Sequence, residues 1–386
     1  MERPSLTLGI EEEYLLVDPE TRNLVAEPTP DFFAACRDRL GDRVSPELLQ
    51  CQIEVGTRPH PTVGAAVAEL RGLRRAVAEV AADHGYRVIA ASVHPFGRWR
   101  RQAPTDKERY EKLWEAMGQP GRRMLICGMH IHAGVEDPEQ RITLLNQVAQ
   151  LLPLLLALSA SSPFWQGADT DMASYRLAVY GELPRTGPPD RMASHHAYAA
   201  LIGDLVAVGA IEDGTKLWWD VRPSARFPTL EQRITDICPR LDDVAALAAW
   251  YQATLAWLHA LGARGEALVE MSPTLVRENR WIAQRHGSDA QLIDATRRRV
   301  VPVADLVEEA LDRLGGAAEA LGCRPELAGL GRIAAEGSST TRQRAVLAWA
   351  LADGAGRGEA LCAVVDSLIA EFPGDAPDPA PTAAGA

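Results

Sequence analysis

Pairs of polar side chains two residues apart recur inside otherwise apolar runs of this sequence: Glu11 and Glu13, Gln52 and Glu54, His130 and His132, Asp220 and Arg222. Residues i and i+2 of a strand point to the same face. Each pair therefore presents two functional groups side by side, with Ile10, Glu12 and Tyr14, or Cys51, Ile53 and Val55, on the reverse. If the four segments share a sheet, one face gathers acidic oxygens and imidazole in a crowd that is tolerable only when cations neutralise it. Oxygen donors outnumber nitrogen and no thiolate pair accompanies them, which favours Mg²⁺ or Mn²⁺ over Zn²⁺. Taken singly, each pair has a plainer reading, as a solvated strand face for the glutamates or an ordinary core histidine. Recurrence in four segments is what carries the metal-site reading.

Other reactive groups read more plainly. Cys127, three residues before His130, suits a small hydrophobe in an apolar strand better than a thiol nucleophile. His195 and His196 follow Ser194, an N-cap candidate, and Arg297, Arg298 and Arg299 suit the solvated face of a helix. Neither GxxxxGK[ST] nor GxGxxG after a strand occurs, so periodicity alone indicates no nucleotide site. Two segments are dense in aromatic and polar residues. One runs from Ser161 and Ser162 through Pro163, Phe164, Trp165, Gln166 and Gly167 to Tyr175 and Arg176, an arginine suited to a carboxylate; the other holds Glu278, Asn279, Arg280, Trp281 and Arg285.

The elements that would position these groups follow from periodicity. Residues 6–17, 49–56, 86–92, 124–135 and 217–224 alternate with period two and are the strand candidates. Val63, Val67, Leu70, Leu73, Val77 and Val80 mark an amphipathic helix closed by Gly85. Asp137 and Pro138 open a long apolar helix to residue 160, and after residue 241 the pattern is almost wholly helical. The connections are too irregular for a βαβ repeat, which favours an α+β fold with an antiparallel or mixed sheet and helices on one face. Residues 1–373 read as a single catalytic domain, and the Pro- and Ala-rich residues 374–386 as a disordered tail.

Composition narrows the partners. The 386 residues carry 40 Lys and Arg against 52 Asp and Glu, a net charge of -12, which opposes adhesion to nucleic acid or anionic lipid. Six scattered cysteines without a CxxC pair read as reduced thiols of a cytoplasmic protein. Residues 1–13 lack the basic and apolar regions of a signal peptide, and the apolar run 148–160 is too short to span a bilayer.

The motifs Gly9-Ile10-Glu11-Glu12-Glu13-Tyr14, Gln52-Ile53-Glu54-Val55, Cys127-Gly128-Met129-His130-Ile131-His132, Ser162-Pro163-Phe164-Trp165-Gln166-Gly167 and Trp219-Asp220-Val221-Arg222-Pro223-Ser224 resemble the type 2 glutamate–cysteine ligase family, in its YbdK-like carboxylate-amine ligase branch. The resemblance runs in order from about residue 6 to 314. It implies a glutamine-synthetase-like fold: a curved antiparallel sheet, helices on its convex face, and ATP, Mg²⁺ (or Mn²⁺) and an acid on the concave face. It also implies ATP-dependent phosphorylation of a carboxylate and attack of an amine on the acyl phosphate, with glutamate and cysteine the first substrates to test. On that analogy Glu11, Glu13, Glu54, His130 and Asp220 are metal ligands, with Glu47 a further candidate, and Arg222 holds the transferring phosphoryl group. Arg176, Trp165 and Ser162 would then meet the acid, and Lys216, Arg285 and Asn279 the nucleotide. A homodimer is the assembly to look for. Two other readings stay open: a metal-dependent amidohydrolase, of which His130-x-His132 would be the signature, and a catalytically silent nucleotide-binding protein of the same fold.

Overall fold

The computed structural model describes residues 3–106 and 116–373. The expected disordered tail, 374–386, lies outside the described residues. A seven-stranded sheet is built from β1 (Leu8–Val17), β2 (Val44–Pro46), β3 (Gln52–Gly56), β4 (Arg87–Ile89), β5 (Met129–Gly134), β10 (Val221–Pro223) and β11 (Thr229–Gln232). Its order is β10-β11-β5-β1-β3-β2, with β4 pairing the C-terminal half of β1, and every pairing is antiparallel. An α+β architecture with an antiparallel sheet is thus present, and it departs from the regular β/α series that an amidohydrolase would need.

Strand β1 sets the two faces. Leu8, Ile10, Glu12 and Tyr14 are buried, whereas Gly9, Glu11 and Glu13 alternate with them toward solvent. Helices α2 (Val63–Asp83) and α7 (Leu241–Ala263) cover the buried face. The Thr62 hydroxyl caps α2 by accepting from the Ala65 N–H, and Gly85, at φ +78°, lets the chain turn back into β4. Glu12 is the one carboxylate of the acidic run on this side. Arg74 of α2 answers it with Nε and Nη2 at 2.8 and 2.7 Å from its two oxygens, and the Tyr14 hydroxyl donates at 2.6 Å. A fully buried pair of this kind holds because hydrogen bonds use most of its donors and acceptors; Arg74 also donates to the Cys238 and Pro239 carbonyls. From α7, the Tyr251 hydroxyl and the Gln252 amide donate to the Leu230 and Leu6 carbonyls and lock the helix onto the strands.

The remaining chain differs from expectation in three places. The long apolar helix is two: α3 (Pro138–Val148) and α4 (Leu152–Ser159) are bent by 66°, because Pro153 sits in the first turn of the second and starts a new helix. No single described helix is long and apolar enough to cross a membrane. The region after residue 241 is not wholly helical: β12 (Gln291–Asp294) and β13 (Arg299–Pro302) form a hairpin between α8 (Pro273–His286) and α9 (Val303–Leu321). The three arginines therefore occupy a turn and strand instead of a helix face; Arg298 takes φ +53°, the Arg297 N–H donates to Asp294, and its side chain pairs with Glu309. Third, β11 falls where no strand is expected.

Candidate functional site

The exposed face of the sheet floors a cleft of about 450 Å³. Strand register brings its groups together: Glu13 stands opposite Glu54, Glu11 opposite His130, and Glu231 opposite both His132 and Arg222. Donor atoms of Glu13, Glu47 and Glu54 lie within 4.8 Å of one another, as do those of Glu11, His132 and Glu231. The first cluster is all carboxylate oxygen, which suits hard ions such as Mg²⁺ or Mn²⁺, and the second adds one borderline imidazole nitrogen to two carboxylates. His132 Nε2 is buried, makes no close hydrogen bond and lies 3.5 Å from Glu11 Oε1, while its Nδ1 lies 2.9 Å from the Thr229 hydroxyl. An imidazole held through one nitrogen with the other left unsatisfied toward carboxylates is arranged to accept a cation.

The electrostatics show the strain of this crowding. Burial raises the Glu13 carboxyl to about 7, aided by the charge of Glu47 and opposed by Arg176, the Gly128 N–H and Arg233. Burial, then Glu47, Glu11 and Glu13, push Glu54 well above the usual range. At Glu11 the same burial is outweighed by His130 and His132, which hold it well below that range. Burial and the Arg233 charge bring His130 down to about 4, so its ring is neutral. Burial would lift Glu231 too, but Arg233, Arg222 and the two histidines hold it low.

Several predicted residues meet in this cleft: Glu11, Glu13, Glu47, Glu54, His130, Arg176, Lys216 and Arg222 all line it. Others do not. Asp220 lies just outside β10, buried, and takes Arg280 of α8 as a two-point partner at 2.7 and 3.2 Å. It joins neither three-donor cluster and does not pair with Arg222, and the carboxylate that converges with Glu11 and His132 is Glu231 on the neighbouring strand. Arg222 is committed inside the protein. Its Nε and Nη2 hold Glu231 at 2.9 and 3.2 Å, and its Nη1 donates to the Thr215 and Leu217 carbonyls. His130 stays beside Glu11, Nδ1 to Oε2 at 3.5 Å, and it is His132 whose donor converges with the carboxylates.

The substrate and nucleotide candidates divide similarly. The Ser162 hydroxyl is fully buried and donates to Asp236 at 2.7 Å, behind the cleft wall. Trp165, in the small hairpin β6 (Phe164–Trp165) and β7 (Ala168–Asp169), packs on Tyr175 and Arg123 away from the cleft lining. Asn279 bonds both ways to the Ile293 backbone, N–H to Oδ1 at 2.6 Å and Nδ2 to carbonyl at 2.9 Å, so it clamps the β12–β13 hairpin beside a separate apolar cavity. Arg285 ends α8 outside the cleft lining, where its carbonyl accepts from Ala173. Lys216 stays at the cleft, 3.5 Å from Glu212.

Two residues are new to the site. Glu231 and Arg233 stand two apart in Thr229-Leu230-Glu231-Gln232-Arg233, the same spacing that marks the other strands. Arg233 bridges Glu231, His130 and the Tyr180 hydroxyl, and its Nε has no partner among the described residues.

A profile of glutamate–cysteine ligase family 2 (GCS2) matches residues 7–363. A protein of Ruegeria pomeroyi provisionally named glutamate–cysteine ligase 2 is 51% identical over 369 residues, 96% of this chain and 95% of its own. One from Rhodospirillum rubrum with the same provisional name is 46% identical over 375 residues, 96% of each. Among solved structures, glutamate–cysteine ligase from Francisella tularensis in complex with AMP superposes with a TM-score of 0.68 at 13% identity, covering 96% of this chain and 90% of that one. A bifunctional glutathione synthetase from Pasteurella multocida gives 0.65 at 15%, covering 95% of this chain and 52% of its own. At such identities the two structures establish the shared fold.

Proposed function

The chain belongs to glutamate–cysteine ligase family 2, and from that premise we propose that it is an ATP-dependent carboxylate-amine ligase working in the cytoplasm, with glutamate the first acid and cysteine the first amine to test. The observation that carries the reading is the pair of three-donor clusters on one sheet face beside two arginines with unused buried donors. Glu13, Glu47 and Glu54 would hold one Mg²⁺, and Glu11, His132 and Glu231 another, supplying positive charge that offsets the phosphate oxygens. The protein's own groups do the rest. Arg233, held against Glu231 and Tyr180, faces the charge that grows as the γ-phosphoryl group passes to the acid. Arg176 receives a carboxylate of the acid, and Lys216, which also lines the cleft, meets the nucleotide phosphates. The acid oxygen takes the phosphoryl group and ADP leaves; the amine then attacks the acyl carbon, phosphate departs, and the amine loses its proton. Neither step needs a covalent enzyme intermediate, which agrees with the inert, buried Cys127 thiol, raised well above its usual value by burial and the Glu13 charge.

The test is trapping. With ATP, Mg²⁺, glutamate and hydroxylamine, the protein is expected to form a hydroxamate with ADP in equal amount. ADP formation indifferent to every acid in a panel, with no hydroxamate, would overturn the proposal.

A further inference from the structure

Gly128 immediately precedes β5, and its N–H donates to the Glu13 carboxylate at 2.7 Å. A Cβ at this position would fall 2.3 Å from Arg176 Nη2 and 2.9 Å from its Cζ. Gly128 is not among the residues with positive φ. Space, not backbone conformation, is what requires glycine here.

The guanidinium filling that space is anchored from both ends. At the backbone of α5 (Arg176–Tyr180), the Arg176 N–H donates to Ser162 Oγ at 3.1 Å. Ser162 in turn donates to Asp236, which also accepts from the Ser161 N–H and the Ser174 hydroxyl at 2.9 and 2.8 Å. At the far end Nη2 and Nη1 reach the Arg233 and Ile234 carbonyls at 3.2 and 3.4 Å, and Cζ lies 5.4 Å from the Tyr180 ring centroid. Carbonyls orient a guanidinium without cancelling its charge. Nε is buried with no hydrogen-bond partner, and the guanidinium hydrogen bonds named here go to carbonyls. Glu13 and Asp236 feel this charge through space, but a cation fixed this firmly at a cleft wall, with one donor unused, is prepared for an external anion.

We infer that Gly128 is a positioning residue: the space left by its missing side chain seats the Arg176 guanidinium where it receives the carboxylate of the acid substrate. The identity of that anion rests on the ligase reading; the seat does not. A Cβ would drive the guanidinium off its carbonyls while leaving the Gly128 amide free to hold Glu13.

A double-mutant cycle of Gly128→Ala and Arg176→Ala in the full chain tests this with two readouts. Thermal midpoints without substrate probe the seat alone. Gly128→Ala lowers the midpoint, and adding it to Arg176→Ala lowers it little further, because the atoms it would strike are gone. Calorimetric affinity for L-glutamate with Mg²⁺ probes the anion. Each single variant weakens it by about 30-fold or more, and the double variant is no weaker than Arg176→Ala alone. Affinity for Mg-ADP changes by less than about twofold in Gly128→Ala, since the amide toward Glu13 is kept. Should Gly128→Ala fail to fold, recovery of folding in the double variant supports the seat. Additive losses in the thermal cycle overturn the positioning role. A coupled thermal cycle in a protein that binds no glutamate overturns the choice of acid and leaves the seat standing.

Discussion

Glu13→Gln isolates what the crowded cleft costs the fold. Burial and the Glu47 charge raise the Glu13 carboxyl from 4.5 to about 7. A carboxyl whose pKa is raised by folding binds its proton more tightly in the folded state, so its contribution is fully present below pH 4.5 and is lost as the pH rises through 7. That rise corresponds to about 3 kcal/mol at most, and to somewhat less because the open side of the cleft screens the charge. Glutamine keeps the shape and cannot ionise. In EDTA, urea denaturation should therefore show wild type and variant of similar stability at pH 4.5, with the variant ahead by about 2 to 3 kcal/mol at pH 8.5. Added Mg²⁺ should close the gap from the wild-type side, because an ion that binds only the folded state stabilises it by mass action. A stability difference in EDTA that does not change with pH would refute the reasoning.

The pairing of Asp220 with Arg280 predicts that Arg280→Ala, which strands a buried carboxylate, lowers stability by about 3 to 5 kcal/mol, and that Asp220→Asn in that background recovers part of the loss while Mg-ADP affinity stays level; loss of that affinity would support a metal role for Asp220. On the reverse face, Arg74→Met should cost a similar amount, about 3 to 5 kcal/mol by denaturant midpoint, and Glu12→Gln added to it should recover much of that. Burial lowers His94 to about 4, with Nε2 donating to the Arg22 carbonyl and Nδ1 accepting from the Gly97 N–H. A histidine lowered by folding protonates first in the unfolded chain, so about 3 kcal/mol should be lost as the pH falls from 6.5 to 4, and His94→Gln should flatten that slope.

Local alternation revealed much of this site because period two is a local signal, and Glu11, Glu13, Glu54 and His132 lie on the cleft face for that reason alone. Partner choice is not local. Nothing near Asp220 announces that Arg280, 60 residues on, will claim it. Nor does Arg222 show that its donors will be spent on Glu231 and two carbonyls. Glu231 in β11 and Arg233 just beyond it carry the same i, i+2 signature, but a four-residue strand with a single aliphatic side chain, Leu230, falls below what apolar patterning detects. The Pro153 break was readable from proline chemistry, and the β12–β13 hairpin was hidden by charged residues that suit a helix surface equally well. Asn279 and Ser162 illustrate a further limit, since polar side chains in aromatic-rich loops serve backbone clamps as readily as ligands.

The run Glu11-Glu12-Glu13 poses one electrostatic problem and the sheet solves it twice. Alternation sends Glu12 to the helix face, where Arg74 neutralises it with covalently tethered charge and Tyr14 completes the shell. That pair is permanent, dry and indifferent to solvent ions. Glu11 and Glu13 emerge on the other face among Glu47, Glu54 and Glu231, and the donor atoms of Glu13, Glu47 and Glu54 converge on one another. Arg176 and Arg233 offset Glu13 only in part, as its raised pKa shows. A sheet built merely to be stable would have placed a tethered cation there as it did behind. On the ligase reading proposed above, that charge would be met by exchangeable divalent ions, so that negatively charged phosphates would arrive with their counter-ions, and Arg176, seated in the space at Gly128, would be left to the acid.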